Sequence, residues 1–318
     1  MKNSKGTLYG IGVGPGEAEL ITYKAVRTIE DCDLIVLPAE SKDTCYSYQI
    51  VEQVYPAVRE KEILCMPFPM IKDEKKLKIA HEKIYSAIAN ELKQEHHVGF
   101  LTIGDPSVYS TYLYMHTRAK EAGFEARMVS GVPSFCAVAA RLGISLGEGT
   151  EEIHIIPASY DIAETLSYKG TRVYMKSGKK LKELIEALRS DHRTVDCEVC
   201  GVANCGMENE QVYHSLEELE GAKDYLTTII VKQKSREHSY RFFENRACKY
   251  FPCHGGVPEF NCLFCYCPLY AMEHCPGAPE FKEKNGRRLK ICTNCNFPHK
   301  PGNYDQIIEL LKTPHDSE

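Results

Sequence analysis

The sequence contains no tryptophan and no hydrophobic run that is long enough to span a membrane. Its most apolar stretch, 129–146, is interrupted by Arg141 and by glycine and proline, so we expect no transmembrane helix. The first residues combine lysine with glycine and lack a leucine-rich core, so we expect no signal peptide and a cytoplasmic protein. A hydrophobic content of 43% and a net charge of only −5 exclude a chain that is mainly disordered.

Cysteine, in contrast, is abundant and unevenly distributed. Seven of the 15 cysteines are scattered over residues 1–236, whereas eight lie between Cys248 and Cys295. Residues 237–318 contain ten basic and ten acidic residues, so the whole net charge belongs to residues 1–236. These two changes predict a boundary near the polar run 232–239, with an enzyme-like domain at 1–236 and a small cysteine-rich domain at 237–318.

Residues 1–236 alternate between short apolar runs and segments with helical periodicity, which predicts an α/β domain with a mostly parallel sheet. Apolar residues share one face of predicted helices at 17–30 and 179–189. A loop at 147–152 would divide the domain into lobes of about 1–148 and 149–236. The predicted strands are 7–13, 33–37, 62–66, 98–103, 125–129, 153–157, 172–175, 198–203 and 227–231.

Four loops rich in glycine or proline follow predicted strands, at 10–16, 102–109, 129–135 and 204–210. The first fits a dinucleotide-binding G-x-G-x-x-G pattern poorly and lacks the Gly-Lys-Ser/Thr of a phosphate-binding loop. Each loop alone is compatible with a tight turn or with a ligand site. Asp105 and Pro106 could cap a helix, or Gly104 could admit a ligand at the carboxyl end of the sheet.

Five motifs follow one another along the first domain: GVGPGEAELIT at 12–22, IGDPSVY at 103–109, SGVPSF at 130–135, VYMK at 173–176 and NCGMENE at 204–210. Their order resembles the tetrapyrrole methylases, which use S-adenosylmethionine. Residues 24–38 and 132–142 are most similar to the carbon-20 methyltransferases of cobalamin synthesis, whose substrate is precorrin-2 or its cobalt complex, cobalt-factor II. Methylation of another macrocycle carbon stays open. So does a metal- or nucleic-acid-binding protein whose methylase portion is a scaffold.

The resemblance implies a two-lobed fold, a homodimer and a cofactor in the cleft between the lobes. It assigns no catalytic residue, because Pro38 stands where relatives that methylate uroporphyrinogen have an aspartate. Tyr109, Tyr112 and Tyr114 could line a macrocycle or pack inside the domain. The cofactor contacts that the resemblance implies are Pro15, Ile103, Gly104, Asp105, Val108, Pro133, Ser134, Met175, Cys205 and Gly206.

The cysteine-rich segment has the spacing C-x4-C-x8-C-x2-C-x-C-x7-C-x16-C-x2-C, with His254, His274 and His299 nearby. Two C-x2-C pairs in a reduced compartment indicate metal binding, and eight thiolates suffice for two zinc sites. An iron–sulfur cluster is an alternative, and a nucleic-acid-binding zinc ribbon is disfavoured by the neutral charge. The segment also resembles a cysteine-rich module attached to some cobalamin-pathway proteins. The predicted ligands are Cys248, Cys253, Cys262, Cys265, Cys267, Cys275, Cys292 and Cys295.

Overall fold

The computed structural model of the protein describes residues 6–69, 73–157, 161–176, 180–191, 194, 197–222, 224, 226–233, 240–257, 259–272, 274–277 and 279–312. The chain divides into two units, Met1–Gln233 and Lys234–Glu318. The boundary predicted between 236 and 237 lies outside the described residues. Within the described part of the chain, no helix is both long and apolar enough to cross a membrane.

The elements of the first sheet and its helices are β1 (Thr7–Gly12), α1 (Tyr23–Asp31), β2 (Leu34–Leu37), α2 (Tyr46–Val54), a 3₁₀ helix (Pro56–Glu60), β3 (Glu62–Cys65), α3 (Glu74–Lys93), β4 (Val98–Thr102), α4 (Tyr112–Glu121) and β5 (Glu125–Val129). This sheet is entirely parallel and has the strand order β3-β2-β4-β1-β5. Helices cover both of its faces, as the apolar strands lead one to expect.

Strand alternation divides the core of this sheet into two layers. Ile35 and Leu37 of β2 pack with α1 and α2, whereas Leu34 and Val36 pack with α3 and α4. Both faces of a four-residue strand are therefore buried, which explains why β2 reads as an uninterrupted apolar run.

The elements of the second sheet and its helices are α5 (Ser134–Leu142), β6 (Ile153–Pro157), α6 (Ile162–Thr165), β7 (Thr171–Met175), α7 (Leu181–Ser190), β8 (Cys197–Ala203), β9 (Gln211–Tyr213), a 3₁₀ helix (Glu218–Gly221) and β10 (Thr227–Gln233). The strand order is β6-β7-β10-β8-β9, and only the β6–β7 pair is parallel. The expectation of a mostly parallel sheet therefore holds for the first sheet and is wrong for the second. Helix α5 packs against β8 and β10 of this sheet, although it directly follows the first sheet in the chain.

All nine predicted strands are present, and β9 is an additional strand. The helix predicted at 17–30 is wrong in its first part, because the chain forms a short 3₁₀ helix (Ala18–Leu20) and then restarts at Tyr23. Thr22 is extended, and its side-chain oxygen accepts a hydrogen bond from the Ala25 backbone N–H, so it caps the new helix. The second predicted helix is confirmed over 181–189, with its apolar face buried.

The cysteine-rich unit contains an antiparallel hairpin of β11 (Glu280–Lys284) and β12 (Arg287–Ile291), two 3₁₀ helices (Phe297–His299 and Pro301–Asn303) and α8 (Tyr304–Lys312). Asn285 and Gly286 both have positive φ, at 53° and 71°, as a two-residue hairpin turn requires. Among its described hydrophobic side chains, only Phe260, Leu269 and Ile307 are fully buried. A core this small needs additional cross-links to be stable.

Candidate active site

The carboxyl ends of β1, β4 and β5 meet where three of the glycine loops cross. Gly104 donates its N–H to the carbonyl oxygen of Gly14 at 2.7 Å, which joins the first loop to the second. A Cβ atom on Gly12 would lie 2.5 Å from the Gly104 carbonyl oxygen, and one on Gly131 would collide with the same oxygen. Glycine at these positions therefore lets three backbone segments approach more closely than side chains allow.

The fourth loop, from the second sheet, reaches the first loop. A Cβ atom on Gly16 would collide with the carbonyl oxygen of Cys205, and one on Gly206 would collide with the backbone of Glu17. Arg141 supports this contact from α5: its guanidinium lies 3.4 Å from the Glu17 carboxylate and 3.2 Å from that of Glu210. The four loops that the sequence singled out thus converge between the two sheets.

A cavity of about 310 Å³ lies at this convergence, which is within the roughly 300–1,000 Å³ of small-molecule sites. Nine of the ten predicted cofactor contacts line it, and Gly206 does not. Their role as cofactor contacts stays a prediction. The nine are Pro15, Ile103, Gly104, Asp105, Val108, Pro133, Ser134, Met175 and Cys205.

The cavity wall also includes residues that sequence reasoning missed, among them Phe68, Lys176, Asn204 and Thr228. Asn204 belongs to the NCGMENE motif and Lys176 to the VYMK motif, and this membership is the signal that could have identified them. Of the three candidate tyrosines, Tyr109 lines the cavity, while Tyr112 is buried and packs against Gly10. Pro38 lines the cavity at the end of β2 and supplies no acid or base there.

Unusual backbone conformations concentrate at the cavity. Five described residues other than glycine have positive φ, and three of them line the cavity: Tyr109 at 46°, Lys176 at 56° and Asn204 at 51°. Side chains disfavour this conformation, and such residues cluster at functional sites.

Asp105 connects two of the loops through its carboxylate. One oxygen accepts hydrogen bonds from the Ser107 N–H at 2.8 Å and the Ser107 hydroxyl at 2.5 Å, and the other accepts from the Gly131 N–H at 3.1 Å. The interpretation of Asp105 as a helix cap is wrong, because α4 does not begin until Tyr112. The carboxylate stabilises the loops and retains room to accept one further hydrogen bond.

Lys176 and Tyr109 connect the two sheets across the cavity. The Lys176 side-chain nitrogen donates to the carbonyl oxygen of Tyr109 at 3.1 Å, and the Tyr109 hydroxyl donates to the carbonyl oxygen of Ile155 at 3.1 Å. Burial lowers the pKa of Lys176 from its ordinary value. Burial, and then the charge of Glu210, raise the pKa of the Cys205 thiol to about 11, so this thiol is protonated at neutral pH.

In the cysteine-rich unit, the described residues bring three ligand atoms within 4.8 Å of one another, from Cys253, His254 and His299. His299 is buried, and its Nδ1 lies 2.9 Å from the Asn261 carbonyl oxygen, which leaves Nε2 available. Sequence reasoning noted both histidines but did not include them among the ligands. Their proximity to Cys253 depends on folding, because 45 residues separate His254 from His299.

The cysteines of this unit form two groups, one around Cys253 and one around Cys267. Burial first, and then the charges of Cys265, Cys262 and Cys248, raise the pKa of the Cys253 thiol. Burial first, and then the charges of Cys275, Cys292 and Cys295, raise the pKa of the Cys267 thiol. A Cβ atom on Gly277 would lie 2.6 Å from the sulfur of Cys295 and 3.7 Å from that of Cys275, so Gly277 allows these two thiols to approach.

Comparison with known proteins agrees with both units. A family model described as Tetrapyrrole (Corrin/Porphyrin) Methylases matches residues 7–220, and one described as Cysteine-rich small domain matches residues 239–317. A probable cobalt-precorrin-2 C(20)-methyltransferase of Methanocaldococcus jannaschii is 34% identical over 234 residues, which cover 72% of this chain and 97% of the relative. The cobalt-precorrin-2 C(20)-methyltransferase of Salmonella typhimurium is 26% identical over the same coverage.

A solved structure shares the fold of the first unit. The uroporphyrin-III C-methyltransferase of Thermus thermophilus, in complex with S-adenyl homocysteine, has a TM-score of 0.53 and 20% identity, covering 71% of this chain and 97% of that one. The family model spans more than half of the chain, and the archaeal relative is matched over nearly its whole length. The chain therefore belongs to the tetrapyrrole (corrin/porphyrin) methylases and carries a cysteine-rich small domain after the methylase unit.

Proposed function

We propose that this protein transfers a methyl group from S-adenosylmethionine to carbon-20 of a cobalt-bearing, precorrin-2-derived macrocycle, cobalt-factor II. The observation that carries the proposal is the 34% identity to the archaeal relative across 97% of that protein. S-adenosylmethionine supplies a methyl group on a positively charged sulfur, which is a good leaving group.

The residues of the cavity fit this cofactor. S-adenosylmethionine has no phosphate. A site in which the backbone and small side chains approach the ligand closely therefore suits it better than a site with a cluster of cationic side chains. The Asn204 side-chain nitrogen is buried without a hydrogen-bond partner in the described part of the chain, and Asn204 lines the cavity, so its amide would serve the cofactor's carboxylate. The Asp105 carboxylate would accept from the cofactor's amino group.

The protein's contribution to methyl transfer is mainly positioning. The interlocked loops fix the predicted cofactor contacts at the ends of the strands. Holding the methyl group and the attacking carbon about 3 Å apart, in line with the breaking bond, supplies much of the rate enhancement. Cys205 does not act as a nucleophile, because its thiol is protonated.

A direct assay tests this function. The full-length protein, incubated with S-adenosylmethionine and cobalt-factor II, should add one methyl group by mass, and NMR of a labelled methyl should place it on carbon-20. A label on a different carbon would identify another methylase of corrin precursors. No mass gain with either the cobalt-loaded or the metal-free macrocycle would refute the proposal.

Asp105 offers a prediction on cofactor binding. Asp105→Ala removes the acceptor for Ser107 and Gly131 and the charged acceptor proposed for the cofactor's amino group. It should weaken S-adenosylmethionine binding about ten- to hundredfold, because a hydrogen bond to a charged group contributes about 1.5–3 kcal/mol. Calorimetry with the cofactor measures this. Ser107→Ala is the matched control, since it removes one donor and leaves the Asp105–Gly131 bond intact. Equal affinity of Asp105→Ala and the wild type would show that the carboxylate is not needed.

We further propose that the cysteine-rich unit holds zinc, with four ligands per ion drawn from its eight cysteines and from the two imidazoles near Cys253. The cluster of Cys253, His254 and His299 supports this, and so does the small core of the unit. Elemental analysis of the full chain should find about two zinc ions per chain. Iron with sulfide, or no metal, would contradict a zinc module.

We also propose that the protein is a homodimer, as the family resemblance implies, and that it acts in the cytoplasm. Light scattering of the purified chain should give twice the mass of 36.0 kDa. A mass of one chain at micromolar concentration would contradict the dimer.

A further inference from the structure

Lys176 is the lysine of the described cavity wall, and its burial disfavours a positive charge on the side chain. It follows β7 directly after Met175 and adopts a positive φ of 56°, which a non-glycine residue holds only when the fold imposes it. Its Nζ contacts the carbonyl oxygen of Tyr109, whose own φ is 46°. Lys176 follows a strand of the second sheet and Tyr109 lies in a loop of the first sheet, and both have a disfavoured backbone conformation. Their contact holds the Lys176 side-chain nitrogen at the cavity.

Among the described residues, the other titratable groups that line this cavity are Cys45, Tyr46, Asp105, Tyr109 and Cys205. The only carboxylate among them, Asp105, accepts hydrogen bonds from Ser107 and Gly131. Within the described part of the chain, burial is the cause of the lowered pKa of Lys176. A cationic cofactor bound next to Met175 would favour the neutral amine further, because like charges repel.

The proposed reaction needs a proton acceptor. When carbon-20 attacks the methyl group, the carbon–methyl bond forms, the sulfur–methyl bond breaks and its electron pair stays on sulfur. The macrocycle then carries one extra positive charge and must lose the hydrogen on carbon-20. Pro38 has no acidic or basic group, and the Cys205 thiol already holds its proton.

We propose that Lys176 is the general base of the reaction: its neutral amine takes the proton from carbon-20 after methyl transfer. This inference rests on the proposed carbon-20 methylation. The carbon–hydrogen bond breaks, its electrons return to the macrocycle, and the amine becomes an ammonium that the Tyr109 carbonyl accepts as a hydrogen-bond donor. Release of that proton to water restores the neutral base.

The experiment compares Lys176→Met with Lys176→Arg. Removing a general base should lower kcat about 10²- to 10⁴-fold, while calorimetry should find S-adenosylmethionine binding unchanged. Arginine should not restore the rate, because its guanidinium stays protonated. Lys61→Met is the matched control: Lys61 also donates to backbone carbonyls, of Glu30 and Cys32, but lies outside the cavity, so its variant should keep the wild-type rate.

Two further readouts separate a base from a structural lysine. The kcat/KM of the wild type should rise with pH to a plateau, because the amine acts only when deprotonated, and Lys176→Met should lack this rise. Lys176→Gly suits the positive φ and so preserves the backbone; added ethylamine should restore part of its activity. A wild-type rate in Lys176→Met, rescue by arginine, a flat wild-type profile or no rescue of Lys176→Gly by ethylamine would overturn the inference. Absence of methylation by the wild type would instead refute the proposed function.

Discussion

Methyl transfer is expected to fall at least about a hundredfold when Gly131 is replaced by alanine, since small displacements of reacting groups can cost that much. The new Cβ would collide with the carbonyl oxygen of Gly104, and backbone cannot rotate away as a flexible side chain can. The loops after β4 and β5 must then separate, and the Asp105–Gly131 hydrogen bond stretches with them. Initial rates and cofactor calorimetry on the full chain measure the effect.

Gly221→Ala is the matched control for this substitution. Gly221 ends a 3₁₀ helix in the same unit, and a Cβ there meets no atom of the described residues within 4 Å. The control should retain wild-type activity and a wild-type unfolding midpoint. If Gly131→Ala binds the cofactor and turns over as the control does, the close approach of the loops is not needed for function.

Metal removal is expected to unfold the cysteine-rich unit. Its three fully buried described hydrophobic side chains supply little burial free energy. Structural zinc supplies about 10–16 kcal/mol in small domains at pH 7, so a strong chelator should remove most of the stability of the unit. Limited proteolysis of the full chain, with and without chelator, should show new cleavage after residue 240, and returning zinc should restore resistance.

Cys292→Ser tests the same metal through one ligand. We expect this variant to lose about one zinc per chain, because a structural site with three ligands binds zinc far more weakly than one with four. Cys136→Ser is the control, since Cys136 is an exposed thiol of the methylase unit. Unchanged proteolysis in chelator, or equal zinc content in the two serine variants, would contradict a metal-dependent fold.

The sequence by itself determined nine of the ten strands of the methylase unit and the four loops that converge at the cavity. The hydrophobic patterns of strands and helices repeat within a few residues of the chain. The apolar run of β2 and the apolar face of α7 could therefore be recognised from neighbouring residues. The glycine loops could be identified for the same reason, since glycine marks positions that a side chain would obstruct. The motif order identified the family.

Only the tertiary structure decided what distant residues do to one another. The direction of the strands in the second sheet depends on pairing between segments such as β7 and β10, which lie more than 50 residues apart. The contact of Asp105 with Gly131, the burial that lowers the pKa of Lys176 and the meeting of Cys253 with His299 likewise arise from chain segments that the fold brings together. Hydrogen bonding, desolvation and ligand geometry depend on neighbours in space, and a linear pattern does not contain those neighbours.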